Sequence, residues 1–198
     1  LFGTFGAMIA IKDPIPNRRV LMEIGAAGPI AGFIVAVPTL IIGLYLSDIV
    51  EPMGEGGFSF GSSVIMILLS KLILGVTPLS ADFNIQLHPV AFAGWVGLFV
   101  TAINLFPIGQ LDGGHIIYSL FGKKSKNWAK YFFIFLLSLI YFWPSWGIWA
   151  VLLIVITRFK SAPLLNDDVL PLKKHRKIGY TAIVIFILTF VPVPIEVI

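Results

Sequence analysis

The 198 residues are 58% hydrophobic and only 12% charged, with a mean hydropathy of +0.96 and a formal net charge of +4. A soluble domain covers its surface with about a quarter charged residues, so this composition excludes a soluble binding module and turns most of the outer surface toward lipid. Cysteine is absent, which excludes disulfides, thiolate metal sites and a cysteine nucleophile, and the basic residues fall in loops between apolar runs rather than on a nucleic-acid-binding face.

In chain order, Leu1 and Phe2 lead directly into Gly3, Thr4, Phe5, Gly6 and Ala7, with no initiator methionine or charged leader, so the chain reads as beginning within a longer protein. A basic loop follows, with Lys12, Arg18 and Arg19 around Pro14 and Pro16. Residues 24–47 carry no charge, enough for roughly 36 Å of helix against a hydrocarbon core of roughly 30 Å. The first half of that run, Gly25-Ala26-Ala27-Gly28-Pro29-Ile30-Ala31-Gly32, is rich in small residues, which predicts close packing on other helices. An acidic loop holds Asp48, Glu51 and Glu55. Residues 58–75 are apolar but interrupted by Gly61-Ser62-Ser63 and Lys71, a pattern for a re-entrant or interfacial segment. Further uncharged runs occupy 89–111, 131–157 and 178–195, with lysine- and arginine-rich loops at 123–130 and 158–177. The fold class expected is an all-α integral membrane protein, a polytopic helical bundle forming a single transmembrane domain. The positive-inside tendency puts the basic loops on the cytoplasmic side, and residues 131–157 then either turn back at Pro144-Ser145-Trp146-Gly147 or cross as one tilted span.

The run Asn104-Leu105-Phe106-Pro107-Ile108-Gly109-Gln110-Leu111-Asp112-Gly113-Gly114-His115 carries the chemistry. Pro107 predicts a break in the helix entering from residue 90, and Gly109, Gly113 and Gly114 make irregular backbone inexpensive. Irregular backbone at membrane depth occurs where it is buried in protein or lines a wet cavity, and an ionisable residue there marks function. Asn104 and Asp112 flank that break. Leu-Asp-Gly-Gly is equally the pattern of a tight turn, with Asp112 capping a short helix over 115–121. His115 reads as a ligand or as a polar contact at the interface, His88 as a helix start before Pro89, and His175, between Lys174 and Arg176, as solvated loop.

Asn104-x-x-Pro107-x-x-x-Leu111-Asp112-Gly113 resembles the second signature of the site-2 protease family of intramembrane zinc metalloproteases. Gly3-Thr4-Phe5-Gly6-Ala7 is similar to the Gly-rich segment after the family's first metal helix, and Gly25–Gly32 to its small-residue helix start. His88-Pro89-Val90-Ala91-Phe92-Ala93-Gly94-Trp95 looks like the lead-in to its aspartate helix. The resemblance implies zinc held by two histidines of a His-Glu-x-x-His helix and by Asp112, with Asn104 positioning substrate or donating to the oxyanion. It also implies that Gly3, Thr4, Phe5, Gly6 and Ala7 offer a strand edge to the substrate, a transmembrane segment of another protein. No His-Glu-x-x-His occurs in the chain, so the expectation is a partial protease core over 1–121 followed by helices over 128–198. Such a chain supplies one of three zinc ligands and is inactive alone. Two other classes remain open: a non-catalytic scaffold that holds substrate, and a transporter, against which stands the lack of a second copy of the 104–113 pattern.

Overall fold

The uncharged run at 24–47 forms part of a single helix, α1 (Arg18–Tyr45), of 28 residues, in a computed structural model that describes residues 14–51, 58–80, 82–157 and 164–197. The expected strand-like segment at Gly3–Ala7 lies outside those residues. The structure is mostly helical. After α1 come α2 (Val64–Leu74), α3 (Pro89–Asn104), α4 (Asp112–Phe121), α5 (Ser125–Leu139), α6 (Trp146–Thr157) and α7 (Lys173–Thr189). Among the described residues α1 is the one helix long and apolar enough to cross a membrane; α2 and α3 are shorter apolar helices.

The other runs are shorter as helices than as apolar sequence. The 89–111 run is helical only to Asn104. The 131–157 run divides into α5 and α6 at the turn around Pro144, and the two helices pack on each other. Residues 58–75 give α2, whose first turn is capped by Ser63 accepting from the Met66 N–H and whose end is Gly75 at φ 75°. Among the described residues six three-residue strands accompany the helices and form three two-stranded ladders: β1 (Ile15–Asn17) parallel to β5 (Leu164–Asn166), and β2 (Asp48–Val50) antiparallel to β4 (Asn84–Gln86). The third pairs β3 (Phe58–Phe60) with β6 (Ile195–Val197), also antiparallel. Strands this short bury too few side chains to show a period-2 pattern in sequence.

The chain divides into two compact units. One comprises Ala31–Ala102 and Ile187–Ile198. Its core is formed by Ala36, Leu40 and Leu44 of α1, Met66 of α2, and Ala91, Trp95 and Leu98 of α3. Glycines let α1 and α3 approach backbone to backbone: a Cβ on Gly43 would lie 2.0 Å from the Ala91 nitrogen, and one on Gly94 2.6 Å from the Leu40 nitrogen. Trp95 stacks between Phe92 and Phe99 and donates its Nε1–H to the Gly61 carbonyl at 2.7 Å. His88 starts α3, its Nδ1 accepting from the Val90 N–H at 3.3 Å, while its own N–H donates to Ser47 Oγ at 3.0 Å.

The second unit comprises Leu1–Ile30 and Ile103–Phe186. Phe106, fully buried, packs on Phe132, Trp146 and Phe186, which gathers the break after α3, α5, α6 and α7 around one aromatic centre. The start of α1 is tied down at several points. Arg18 Nε donates to Asp167 Oδ1 at 2.7 Å, Arg19 Nε to the Leu170 carbonyl at 2.9 Å, and Ser119 Oγ to the Arg18 carbonyl.

The Arg18 guanidinium holds the Asp167 carboxyl below the usual carboxylate range. The unfolded chain, with a carboxyl pKa of about 3.9, therefore takes up this proton first as pH falls. The pairing contributes its full stability above that value and loses it as pH drops through the folded pKa. Acid unfolding followed by circular dichroism should show this loss below about pH 4 and should show it reduced in Asp167→Asn; superimposable profiles would contradict the pairing.

Candidate metal-ligand site at the helix break

The break lies where Pro107 dictates it. The proline ring collides with the carbonyl four residues earlier, that of Ile103, and steers Phe106 away from helical geometry, so α3 stops at Asn104, three residues before the proline. The chain then turns tightly: the Phe106 N–H reaches the Ile103 carbonyl at 3.1 Å, the Ile108 N–H the Phe106 carbonyl at 2.7 Å across Pro107, and the Leu111 N–H the Ile108 carbonyl at 3.2 Å. Gly109, at φ 57°, supplies the left-handed residue this path needs.

Helix α4 restarts at Asp112 and presses its first turn back on the break. A Cβ on Gly113 would lie 2.0 Å from the Leu105 carbonyl oxygen, and one on Gly114 2.4 Å from that of Gly109. The paired glycines are therefore required by contact. Asn104 and Asp112 are each one residue along the chain from the Leu105–Gly113 contact, so the break brings together the backbone segments that carry them.

The turn reading of Leu-Asp-Gly-Gly is corrected here. Leu111, in extended conformation, is the N-cap, and no side chain caps the helix; Asp112 lies inside the first turn. Its carboxylate is half-buried and, among the described residues, has no hydrogen-bond or ion-pair partner. It sits against α1: a Cβ on Gly28 would be 3.4 Å from Asp112 Oδ2, and one on Gly25 3.0 Å from the Asp112 carbonyl and 2.8 Å from His115 Cβ. Gly25 and Gly28, one helical turn apart, form the seat of Asp112. Sequence reading found their small size but not their partner, since spacing within α1 says nothing about which helix lies on it. The positive end of the α4 dipole lies beside the carboxylate and favours its charge.

Asn104 is half-buried, and its amide has no partner among the described residues. His115 is 7% exposed and packs on Gly25 of α1. The solvated-loop reading of His175 is corrected. It is 2% exposed, its Nδ1 accepts from the Leu172 N–H at 3.3 Å, and its Nε2 donates to Glu23 Oε1 at 3.1 Å, pinning α7 to α1. Its flanking lysine and arginine are solvated, but on a helix neighbours in sequence point to different faces. Among the described residues no three His, Asp or Glu side chains gather to hold a metal by themselves. A half-buried carboxylate seated on glycines, without a partner among the described residues, fits the part of one ligand, with the remaining ligands to come from elsewhere.

The sequence pattern of peptidase family M50 matches residues 2–141. Similar curated proteins include the probable zinc metalloprotease EGY2, chloroplastic, of Arabidopsis thaliana, 32% identical over 195 residues that cover 97% of this chain and 35% of that protein. The probable zinc metalloprotease EGY1, chloroplastic, of the same plant is 30% identical, covering 96% of this chain and 36% of its own length. The EGY2 of Oryza sativa subsp. indica is 31% identical, with 97% and 35% covered. The chain thus spans about a third of the length of these relatives. No solved structure matches it. With the family pattern running through the small-residue start of α1, the proline break and the Leu-Asp-Gly-Gly start of α4, the chain belongs to peptidase family M50, the site-2 protease family.

Proposed function

We propose that this chain is the aspartate-bearing part of an intramembrane zinc endopeptidase of site-2 protease type, a multi-pass protein that cleaves transmembrane segments of other membrane proteins. The observation that carries this reading is Asp112, a carboxylate without a partner among the described residues, seated on Gly25 and Gly28 at a helix break inside the matched residues. Two further observations support it. Large apolar side chains such as Ile34, Val35 and Ile42 of α1, Leu72 of α2, Ile148 and Val151 of α6 and Val184 of α7 are exposed, as expected of lipid-facing helices. Helix α4 also places Asp112 roughly 15 Å from Lys123 and Lys124, half a hydrocarbon thickness of roughly 30 Å.

In this reading Asp112 is one ligand, and a His-Glu-x-x-His helix, absent from the 198 residues, supplies two more and the general base. When bound, zinc polarises the peptide carbonyl and brings the pKa of water toward neutrality. Asn104 offers an amide N–H to the carbonyl oxygen as it gains charge. Gly3, Thr4, Phe5, Gly6 and Ala7 offer backbone to an unwound substrate strand. The protein's partners are the bilayer and its membrane-protein substrate, not nucleic acid, and the basic loops face the cytoplasm.

Metal analysis of the complete natural protein beside residues 1–198 alone tests the proposal. The complete protein should hold one zinc and cleave a transmembrane peptide; the 198 residues should do neither. Stoichiometric zinc on residues 1–198 would overturn the ligand assignment. A complete protein free of zinc and inactive would favour a scaffold that holds substrate without cutting it.

Gly28→Ala gives a finer prediction. The new Cβ meets Asp112 Oδ2 at ordinary contact distance, so the fold is kept, and alanine raises helix propensity by about 1 kcal/mol. Melting temperature should hold or rise, while zinc affinity falls because the carboxylate has less freedom to reach the metal. Unchanged zinc affinity would remove Gly28 from the seat.

A further inference from the structure

Four segment starts or ends meet at one end of the unit formed by Leu1–Ile30 and Ile103–Phe186. The beginning of α1 bonds through Arg18 and Arg19 to the β5–α7 connection, so α7 starts there. The end of α4 lies on the same arginine: Gly122 would place a Cβ 2.5 Å from an Arg18 guanidinium nitrogen. From Gly122 one 3-10 turn leads into α5, which therefore also starts at this end.

Around this end Lys123, Lys124, Lys126, Lys130, Lys173, Lys174, Arg176 and Lys177 are all exposed, and none forms a salt bridge among the described residues. The nearby carboxylates are Glu23, Asp167 and Asp168; Glu23 is engaged by His175 and Asp167 by Arg18. The cations are thus in large excess over the carboxylates, although Lys123 also lies in the field of Asp167. A second feature follows the first inward. On α5, Trp128 and Tyr131 come one turn after the first lysines and are 50% and 66% exposed; on α7, Tyr180 comes one turn after Lys177 and is 54% exposed. Beyond these rings both helices turn apolar, with Ile134 and Phe135 exposed on α5 and Val184 on α7. Two helices distant in sequence therefore repeat one order from the same end: cation, indole or phenol, hydrocarbon. That is the order of a bilayer half read from its surface inward, with the rings at headgroup depth. Exposed Leu165 of β5 and Leu170 and Leu172 of the β5–α7 connection add apolar side chains beside this end.

We propose that this cation–aromatic collar is a binding surface for anionic lipid headgroups, with the eight lysine and arginine side chains on the phosphates and Trp128, Tyr131 and Tyr180 at the glycerol level. The proposal rests on the membrane reading above, and goes beyond a bias in orientation: the collar binds anionic lipid in preference to zwitterionic lipid of the same chain length. Exposed cations held at such a surface act together, and their effect falls within a Debye length, so salt should weaken it.

The test uses the complete protein in neutral detergent, with its melting temperature followed as dioleoyl phosphatidylglycerol or dioleoyl phosphatidylcholine is added. Phosphatidylglycerol should raise the melting temperature at a concentration at least about tenfold lower than phosphatidylcholine, and 0.5 M sodium chloride should abolish that preference. A Lys173→Gln, Lys174→Gln, Arg176→Gln, Lys177→Gln variant should keep the wild-type response to phosphatidylcholine and lose the preference. Equal response to the two lipids, or an equal shift from inorganic phosphate at the same concentration, would overturn the proposal. So would protection by polyglutamate but not by phosphatidylglycerol, which would point to an acidic protein instead. A protein that stays dispersed without detergent would defeat the membrane reading itself, a result separate from lipid indifference in a detergent-dependent protein.

Discussion

Asp112→Asn in the complete protein should lower cleavage of a transmembrane peptide by at least about a hundredfold and lower its zinc content, while membrane extraction and melting behaviour stay close to wild type. The substitution keeps shape and volume but replaces an anionic ligand with a neutral amide, a poor partner for zinc. The fold should tolerate it because the carboxylate holds nothing in place. Leu111 begins α4 without a side-chain cap, and Asp112 has no partner among the described residues that would be left unsatisfied. Removing a half-buried charge from beside Gly28 even relieves a desolvation cost. Full activity in this variant would remove Asp112 from the metal site. Loss of activity together with a collapsed melting temperature would make it a structural residue instead.

Gly113→Ala should be the most disruptive single-methyl change in the second unit. The added Cβ would lie 2.0 Å from the Leu105 oxygen, 2.3 Å from the Leu105 carbonyl carbon and 2.6 Å from the Phe106 oxygen. All three are backbone atoms of the break, and Phe106 is held in the aromatic centre with Phe132, Trp146 and Phe186. Neither side can yield cheaply, so α4 must move off the break by more than an ångström, costing about 2–4 kcal/mol of stability. Asp112 then shifts from its seat on Gly25 and Gly28, and activity should fall with stability. Gly147→Ala is the matched control. Its Cβ would lie 3.9 Å from Ile140 Cδ1, an ordinary contact, and it should be neutral or stabilising. Thermal melting of both variants decides the matter; equal melting temperatures would show that α4 does not rest on the break.

Legibility in the sequence followed the range of each interaction. The long uncharged run gave α1, and Pro107 with three glycines gave the broken helix, because local sterics settle both. The candidate residues were visible for the same reason: Asn104 and Asp112 flank a break that the backbone cannot avoid. Partners were not visible. Nothing in Gly25-x-x-Gly28 names α4 as the helix that lies on it, and nothing in Leu164–Asn166 names Ile15–Asn17 as its partner strand. His175 shows the opposite failure. Its neighbours Lys174 and Arg176 describe a solvated segment, while the histidine itself turns inward to Glu23 and the Leu172 amide. Composition averages over faces that a helix separates.

The central claim, that Asp112 is a metal ligand, is tested most directly by changing the ligand atom. These 198 residues contain no cysteine, so Asp112→Cys introduces a single thiol into them. The variant of the complete protein, stripped of zinc and loaded with cobalt(II), should show a thiolate-to-cobalt charge-transfer band that wild type lacks. Cobalt bound at full stoichiometry without that band would mean that the metal sits elsewhere, and that the carboxylate beside Gly28 serves another purpose.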